Sequence, residues 1–185
     1  MVHLVGPGGA GKSTVAPLLA ALLGVPSHDL DARFTAAHGS VDAFIAARGY
    51  RAYAAANVAA YLDLAAATAG AAGVAALSSG FLVYPPDVHP RYAALRAALV
   101  AAPSTVVLLP ALELEPCVAE TVRRQVGRGA GRTTAARAEA KIRERFALYA
   151  GLPARKVTTG RAPGAVAAEI AALLGAGPAA ERSAI

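Results

Sequence analysis

The sequence predicts an α/β fold in three layers, a central parallel sheet flanked by helices. Two observations carry that expectation. Short apolar runs alternate along the chain with longer stretches of helical period, and strands separated by helices pair in parallel, with helices covering both faces. The length, 185 residues of which 56% are hydrophobic, suits one domain with a full core and would cramp two.

Each element has a local reason. Residues 2–5 (Val-His-Leu-Val) form an apolar run that ends at Gly6 and reads as a buried first strand. Residues 13–23 follow a helical period, and Gly24 supplies the stop. Residues 28–31 read as a strand end or loop, and 32–69 as two or three helices punctuated by Gly39 and Gly49. Residues 74–77 form a short strand that runs into Ser78-Ser79-Gly80. Prolines 85, 86 and 90 mark a turn before a helix near 92–101. Residues 105–109 are β-branched or apolar throughout and make the clearest strand of the chain. A helix over about 115–126 leads into a loop of glycine and arginine at 127–132, and another helix covers about 134–150. Residues 155–159 read as the last strand and 163–174 as the last helix, with Pro163 at its start. The organisation expected is a single domain over 1–174, a lid near 125–134 and a flexible tail over 175–185.

Composition excludes several classes. Fifty residues are alanine, so much of the apolar content is small and helix-permissive. No run of 18 apolar residues escapes a charge, proline or glycine, which excludes a transmembrane helix. The first residues lack the basic stretch and apolar core of a signal peptide, so a cytoplasmic protein is expected. Cys117 stands alone, which excludes an internal disulfide. His3, His28, His38 and His89 have no metal-ligand spacing. Residues 120–161 carry eleven of the eighteen basic side chains against three acidic ones. Such a stretch suits a polyphosphate or nucleic acid. No aromatic interleaving, zinc spacing or helix-turn-helix supports nucleic acid, so that partner is disfavoured.

The chemistry begins at Gly6-Pro7-Gly8-Gly9-Ala10-Gly11-Lys12-Ser13, which fits G-x-x-x-x-G-K-[ST] in full, after a strand and before a helix. Glycines let the backbone wrap an anion with its amides pointing inward, and the helix dipole adds positive potential. In this reading residues 6–14, including Thr14, hold ATP; Lys12 reaches the β/γ-phosphates and Ser13 meets Mg²⁺. Asp29 and Asp31 follow. Alternate residues of an extended segment share a face, so both carboxylates can point into the cleft. One is suited to the Mg²⁺ shell and the other to orienting or deprotonating an acceptor hydroxyl; a helix N-cap is the alternative for this pair.

The order of these motifs resembles the shikimate kinase family. Gly6, Gly9, Gly11, Lys12, Ser13 and Thr14 match its G-x-x-G-x-G-K-S-T, Asp29 and Asp31 its D-x-D, Ser78-Ser79-Gly80 its Gly-Gly-Gly turn, and Arg145-Phe146-Ala147-Leu148-Tyr149 its R-x-P-L-Y. The resemblance spans residues 2 to about 174. It implies a P-loop kinase fold, Asp29 near the metal, and Asp31, Gly80 and Arg145 at the acceptor. The arginine–glycine loop falls where the family keeps its nucleotide lid. That puts Arg123 or Arg124 beside the adenine and Arg128 or Arg132 on the transferred phosphoryl group, with Arg132 favoured by spacing.

Two departures fall on the acceptor side. Where the family has an arginine and a supporting glutamate after Gly49, this chain has Ala54 and Asn57. Arg51, one helical turn earlier, is the candidate replacement. Core packing is the default for Tyr50, Tyr53 and Tyr61, although Tyr50 or Tyr53 can also line an acceptor pocket. The expectation is an ATP-dependent kinase acting on a hydroxyl of a small polyol or cyclitol, as monomer or homodimer, with shikimate itself a poor acceptor. A nucleoside or nucleotide kinase and a non-catalytic nucleotide-binding protein are the alternatives.

Overall fold

The computed structural model describes residues 1–126 and 135–175. Five strands form one sheet: β1 (Val2–Val5), β2 (Ser27–Asp29), β3 (Val74–Ala76), β4 (Thr105–Leu109) and β5 (Arg155–Thr158). Their order is β2-β3-β1-β4-β5 and every pairing is parallel. The helices are α1 (Lys12–Leu23), α2 (Leu30–His38), α3 (Val41–Ala67), α4 (Tyr92–Ala101), α5 (Leu114–Val126), α6 (Ala135–Ala150) and α7 (Pro163–Leu173). The predicted class and element order hold. No described helix is long and apolar enough to cross a membrane.

Successive strand residues point to opposite faces, and both faces are dry, which is why the central strands read as unbroken apolar runs. Leu4, Val106, Leu108 and Val157 pack with α1 and α7 through Val15, Leu19, Val166 and Ile170, an aliphatic core. Val5, Val107 and Leu109 face the other way, into a core rich in rings: Phe34, Tyr53, Tyr61, Phe81, Tyr84, Tyr92 and Tyr149. All five strands run the same way, so their carboxyl ends deliver the 6–11 loop, Asp29, Ser78 and Thr159 to one edge, where open parallel sheets place their ligands.

Three local features depart from the sequence reading. β2 stops at Asp29 and α2 begins at Leu30. Asp29 and Asp31 therefore do not share the face of one extended strand: Asp29 caps the helix and Asp31 sits in its first turn. The stretch 41–67 breaks where the sequence places a glycine: Gly49 has φ 81° and ψ 161°, and Tyr50 opens a second segment. A short 3-10 turn, Phe81–Val83, follows β3 where no element was expected. The last helix ends at Leu173, one residue early. The flexible tail expected over 175–185 falls almost wholly on residues 176–185, outside the described residues.

Candidate active site

The loop between β1 and α1 is shaped by glycine at positions where nothing else fits. Gly6 (φ 145°) lies so close to the Leu108 carbonyl oxygen that a Cβ would collide with it, and Gly9 (φ 80°) and Gly11 (φ 92°) complete the turn. Lys12, the first residue of α1, is buried, and its ammonium donates to the carbonyls of Gly6 at 2.7 Å and Pro7 at 2.9 Å. Its charge is thus folded back over the loop, at the positive end of α1, where an anion's oxygens would lie. Ser13 and Thr14 follow on the exposed face of the first turn. Gly11 and Thr14 also border a cavity of about 280 Å³ with Val15, Arg124, Thr159 and Pro163. Its mix of apolar walls and backbone suits a flat base beside a phosphate loop.

Arg124, not Arg123, is brought to this cavity. Its guanidinium donates to the Gly9 carbonyl at 3.2 Å, to the Thr159 hydroxyl at 3.0 Å and to the Thr159 carbonyl at 2.5 Å. Glu120 braces it at 2.6 Å. Arg123 lies on the outer side of α5, 72% exposed, and pairs with Glu120 at 2.7 Å. The two arginines together, Arg123 first, hold the Glu120 carboxyl down at about 2. Arg128 and Arg132, and the lid itself beyond Val126, lie outside the described residues.

The acceptor side collects across the same edge. Asp29 accepts the Ala32 amide at 2.9 Å as the N-cap of α2, which engages one of its carboxylate oxygens. Asp31 is exposed, and its Oδ1 accepts from the buried Ser78 hydroxyl at 2.5 Å. Arg145, on α6, donates to the Ser79 hydroxyl and to the Tyr50 hydroxyl, each at 3.2 Å, while its Nε is buried without a partner. Gly80 is closely overlaid: a Cβ there would sit 2.6 Å from the Tyr50 hydroxyl. Asp31, Gly80 and Arg145 are therefore in one neighbourhood, linked through Ser78, Ser79 and Tyr50.

Arg51 does not join them. It points outward, 62% exposed, and grips Asp87 in the proline-rich turn at 2.9 Å and 3.2 Å. Ala54 is fully buried, and Asn57, also fully buried, accepts from the Tyr84 hydroxyl at 3.2 Å. The arginine and glutamate positions of the resemblance have become core. Tyr53 and Tyr61 are core as well, and burial raises the Tyr53 hydroxyl to about 12. Sequence reasoning placed Ser78 and Ser79 at the family's Gly-Gly-Gly turn but not as the donor to Asp31 and the acceptor from Arg145, because partners 47 and 66 residues apart carry no spacing signal. It also passed over Lys141, which lines a second cavity of about 60 Å³ with Pro7, Gly8, Ser79 and Arg145. No described cluster of three His, Cys, Asp or Glu side chains could hold a metal alone.

Comparison with known proteins bears on this geometry. The family model described as "Shikimate kinase" matches residues 8–174. The shikimate kinase of Salinispora arenicola is 40% identical over 183 residues, covering 94% of this chain and 96% of that protein. Among solved structures, the shikimate kinase of Acinetobacter baumannii in complex with shikimate has a TM-score of 0.65 at 24% identity, covering 93% of this chain and 90% of that one. The enzyme of Bacteroides thetaiotaomicron has a TM-score of 0.67 at 17% identity, covering 94% and 96%. These two likenesses establish the shared fold, and the family match and the closer sequence relative establish the lineage. The chain belongs to the shikimate kinase family, and is an ATP- and Mg²⁺-dependent small-molecule kinase with the P-loop kinase fold.

Proposed function

We propose that the protein transfers the γ-phosphoryl group of ATP to a ring hydroxyl of shikimate. The observation that carries this reading is the meeting, at one sheet edge, of the Lys12 loop with Asp31, Gly80 and Arg145, in a chain of this family. The reading replaces two expectations drawn from sequence, that shikimate is a poor acceptor and that polyols in general serve. The family match across 8–174 and the 40% identical shikimate kinase weigh for shikimate, and the change at positions 54 and 57 bears on how the acid is held.

In this account residues 6–14 wrap the phosphates and Lys12 turns from the loop carbonyls to the β/γ-phosphate oxygens. The base lies in the cavity beside Arg124, Thr159 and Pro163. Ser13 and the oxygen of Asp29 not engaged by Ala32 are suited to Mg²⁺, which when bound neutralises charge on the phosphates. Asp31 accepts the proton of the attacking hydroxyl as its oxygen bonds to the γ-phosphorus and the bond to the ADP oxygen breaks. Most of the barrier reduction comes from placement and fixed charge, since phosphoryl transfer asks little covalent chemistry of the protein. The catalytic part expected of Arg132 stays a proposal on residues outside the description.

ADP release measured over a panel of shikimate, quinate, an aminocyclitol, gluconate and adenosine tests the reading. Shikimate is expected to give the highest rate, and Asp31→Asn to lower it by roughly 10²- to 10⁴-fold. A rate on adenosine above that on shikimate would make this a nucleoside kinase instead.

A further inference from the structure

Two cations on one face of α6 look across a small cavity at the phosphate loop. Lys141 and Arg145 are four residues apart, so they are neighbours one turn from each other. Both line the cavity of about 60 Å³ that Pro7, Gly8 and Ser79 close from the other side. Among the described residues no carboxylate lies within ion-pair distance of either, whereas Arg143, on the outer face of the same helix, is held by Glu115 and Glu139. The terminal nitrogens of Arg145 rest on the neutral hydroxyls of Ser79 and Tyr50, and its Nε is buried without a partner.

Burial and the like charges of Arg137 and Arg145 hold the Lys141 ammonium below its ordinary pKa, against the weaker opposing pull of Asp42 and Glu144. An anion seated between Lys141 and Arg145 would relieve that repulsion. The facing helix offers no competing cation: Ala54 and Asn57 are buried core and Arg51 is engaged by Asp87. Shikimate carries one carboxylate, and it needs a charged partner on entering a cleft that excludes water.

We propose that Lys141 is a specificity-determining residue that binds the acceptor's carboxylate together with Arg145, so that α6 rather than α3 selects an acid acceptor. The inference rests on shikimate being the acceptor. The lysine supplies a compact charge with three donors, and the arginine a planar fork that can grip both carboxylate oxygens once Tyr50 yields.

Steady-state kinetics on the whole chain, varying shikimate and ATP separately, test it in Lys141→Gln and Lys141→Arg. Lys141→Gln is expected to raise KM for shikimate roughly ten- to a hundredfold, the loss of one charge-assisted hydrogen bond. KM for ATP should stay within about twofold, and Lys141→Arg should recover most of the shikimate affinity. Lys141 belongs to neither hydrophobic core, which leaves both variants free to fold, and a thermal midpoint matching the unmodified chain checks it. An unchanged KM for shikimate overturns the proposal, and so does an equal rise in KM for ATP, which would put Lys141 on a phosphate. If the unmodified chain turns over ATP on another acceptor and not on shikimate, the acceptor reading has failed and the proposal falls with it.

Discussion

Ser78 donates to Asp31 at 2.5 Å from a position only 1% exposed, so the proposed base is oriented by a side chain that cannot itself wander. Ser78→Ala removes the donor, adds no bulk and leaves Asp31 in place at the start of α2. We expect kcat to fall roughly ten- to a hundredfold with KM for ATP unchanged, the size of one lost hydrogen bond to a charged group. A change in KM for ATP alone would mean that Ser78 shapes the nucleotide site instead. Lys12 is the opposite case, a charge that acts on the phosphoryl group directly. Lys12→Met should keep the fold and cut turnover by about 10²- to 10³-fold or more, because it deletes a preorganised cation at the developing charge. Circular dichroism checks the first half of that statement and single-turnover kinetics the second.

Of the elements, the β1–loop–α1 unit was fully legible, because its glycines, lysine and serine answer to one constraint: backbone wrapped round an anion. Gly6 shows how tight that constraint is. Gly6→Ala would need φ 145° of a residue with a Cβ and would drive that Cβ into the Leu108 carbonyl. A cost of about 3 kcal/mol or more is expected in denaturant unfolding. Gly24→Ala, with φ 66° but open space around it, should cost only about 1–2 kcal/mol. Equal costs would show that strain alone, and not the closeness of β4, fixes Gly6. The strands and most helices were legible for a similar reason, since burial on both faces leaves continuous apolar runs. The β2–α2 junction was legible only as a choice: Asp29 and Asp31 read as a strand face or as a helix N-cap, and the Ala32 amide reaching Asp29 decides for the cap. The breaks at Gly39 and Gly49 were legible, because a glycine among helix formers marks where the chain can leave the helix at positive φ. On the acceptor side, Arg51 read as a replacement cation because the sequence does not reveal Asp87 waiting 36 residues away.

At the scale of the whole molecule, the sheet ties stability to pH through His3. Burial in β1 holds its imidazole down at about 4 against an ordinary 6.5, and its Nε2 lies 2.9 Å from the Tyr61 hydroxyl. The unfolded chain therefore binds this proton more readily than the folded one. The contribution is fully present above about pH 6.5 and is lost as pH falls from 6.5 through 4, up to about 3 kcal/mol in all. Thermal midpoints between pH 7 and pH 4 should drop more steeply in the unmodified chain than in His3→Gln; parallel slopes would contradict a buried, neutral His3. Glu120, held at about 2 by Arg123 and Arg124, acts in a separate and more acid window, between about 4.5 and 2. The same sheet sets the function, because its parallel strands bring the phosphate loop, Asp31, Ser78 and Thr159 to one edge while α6 adds Arg145 and Lys141. The most direct measurement of whether that edge is a shikimate kinase is kcat/KM for shikimate at saturating ATP and Mg²⁺. We predict about 10⁴ M⁻¹s⁻¹ or above, within the ordinary range of enzymes on their own substrates. Turnover of shikimate no faster than ATP hydrolysis without an acceptor, from a folded protein that binds ATP, would contradict it.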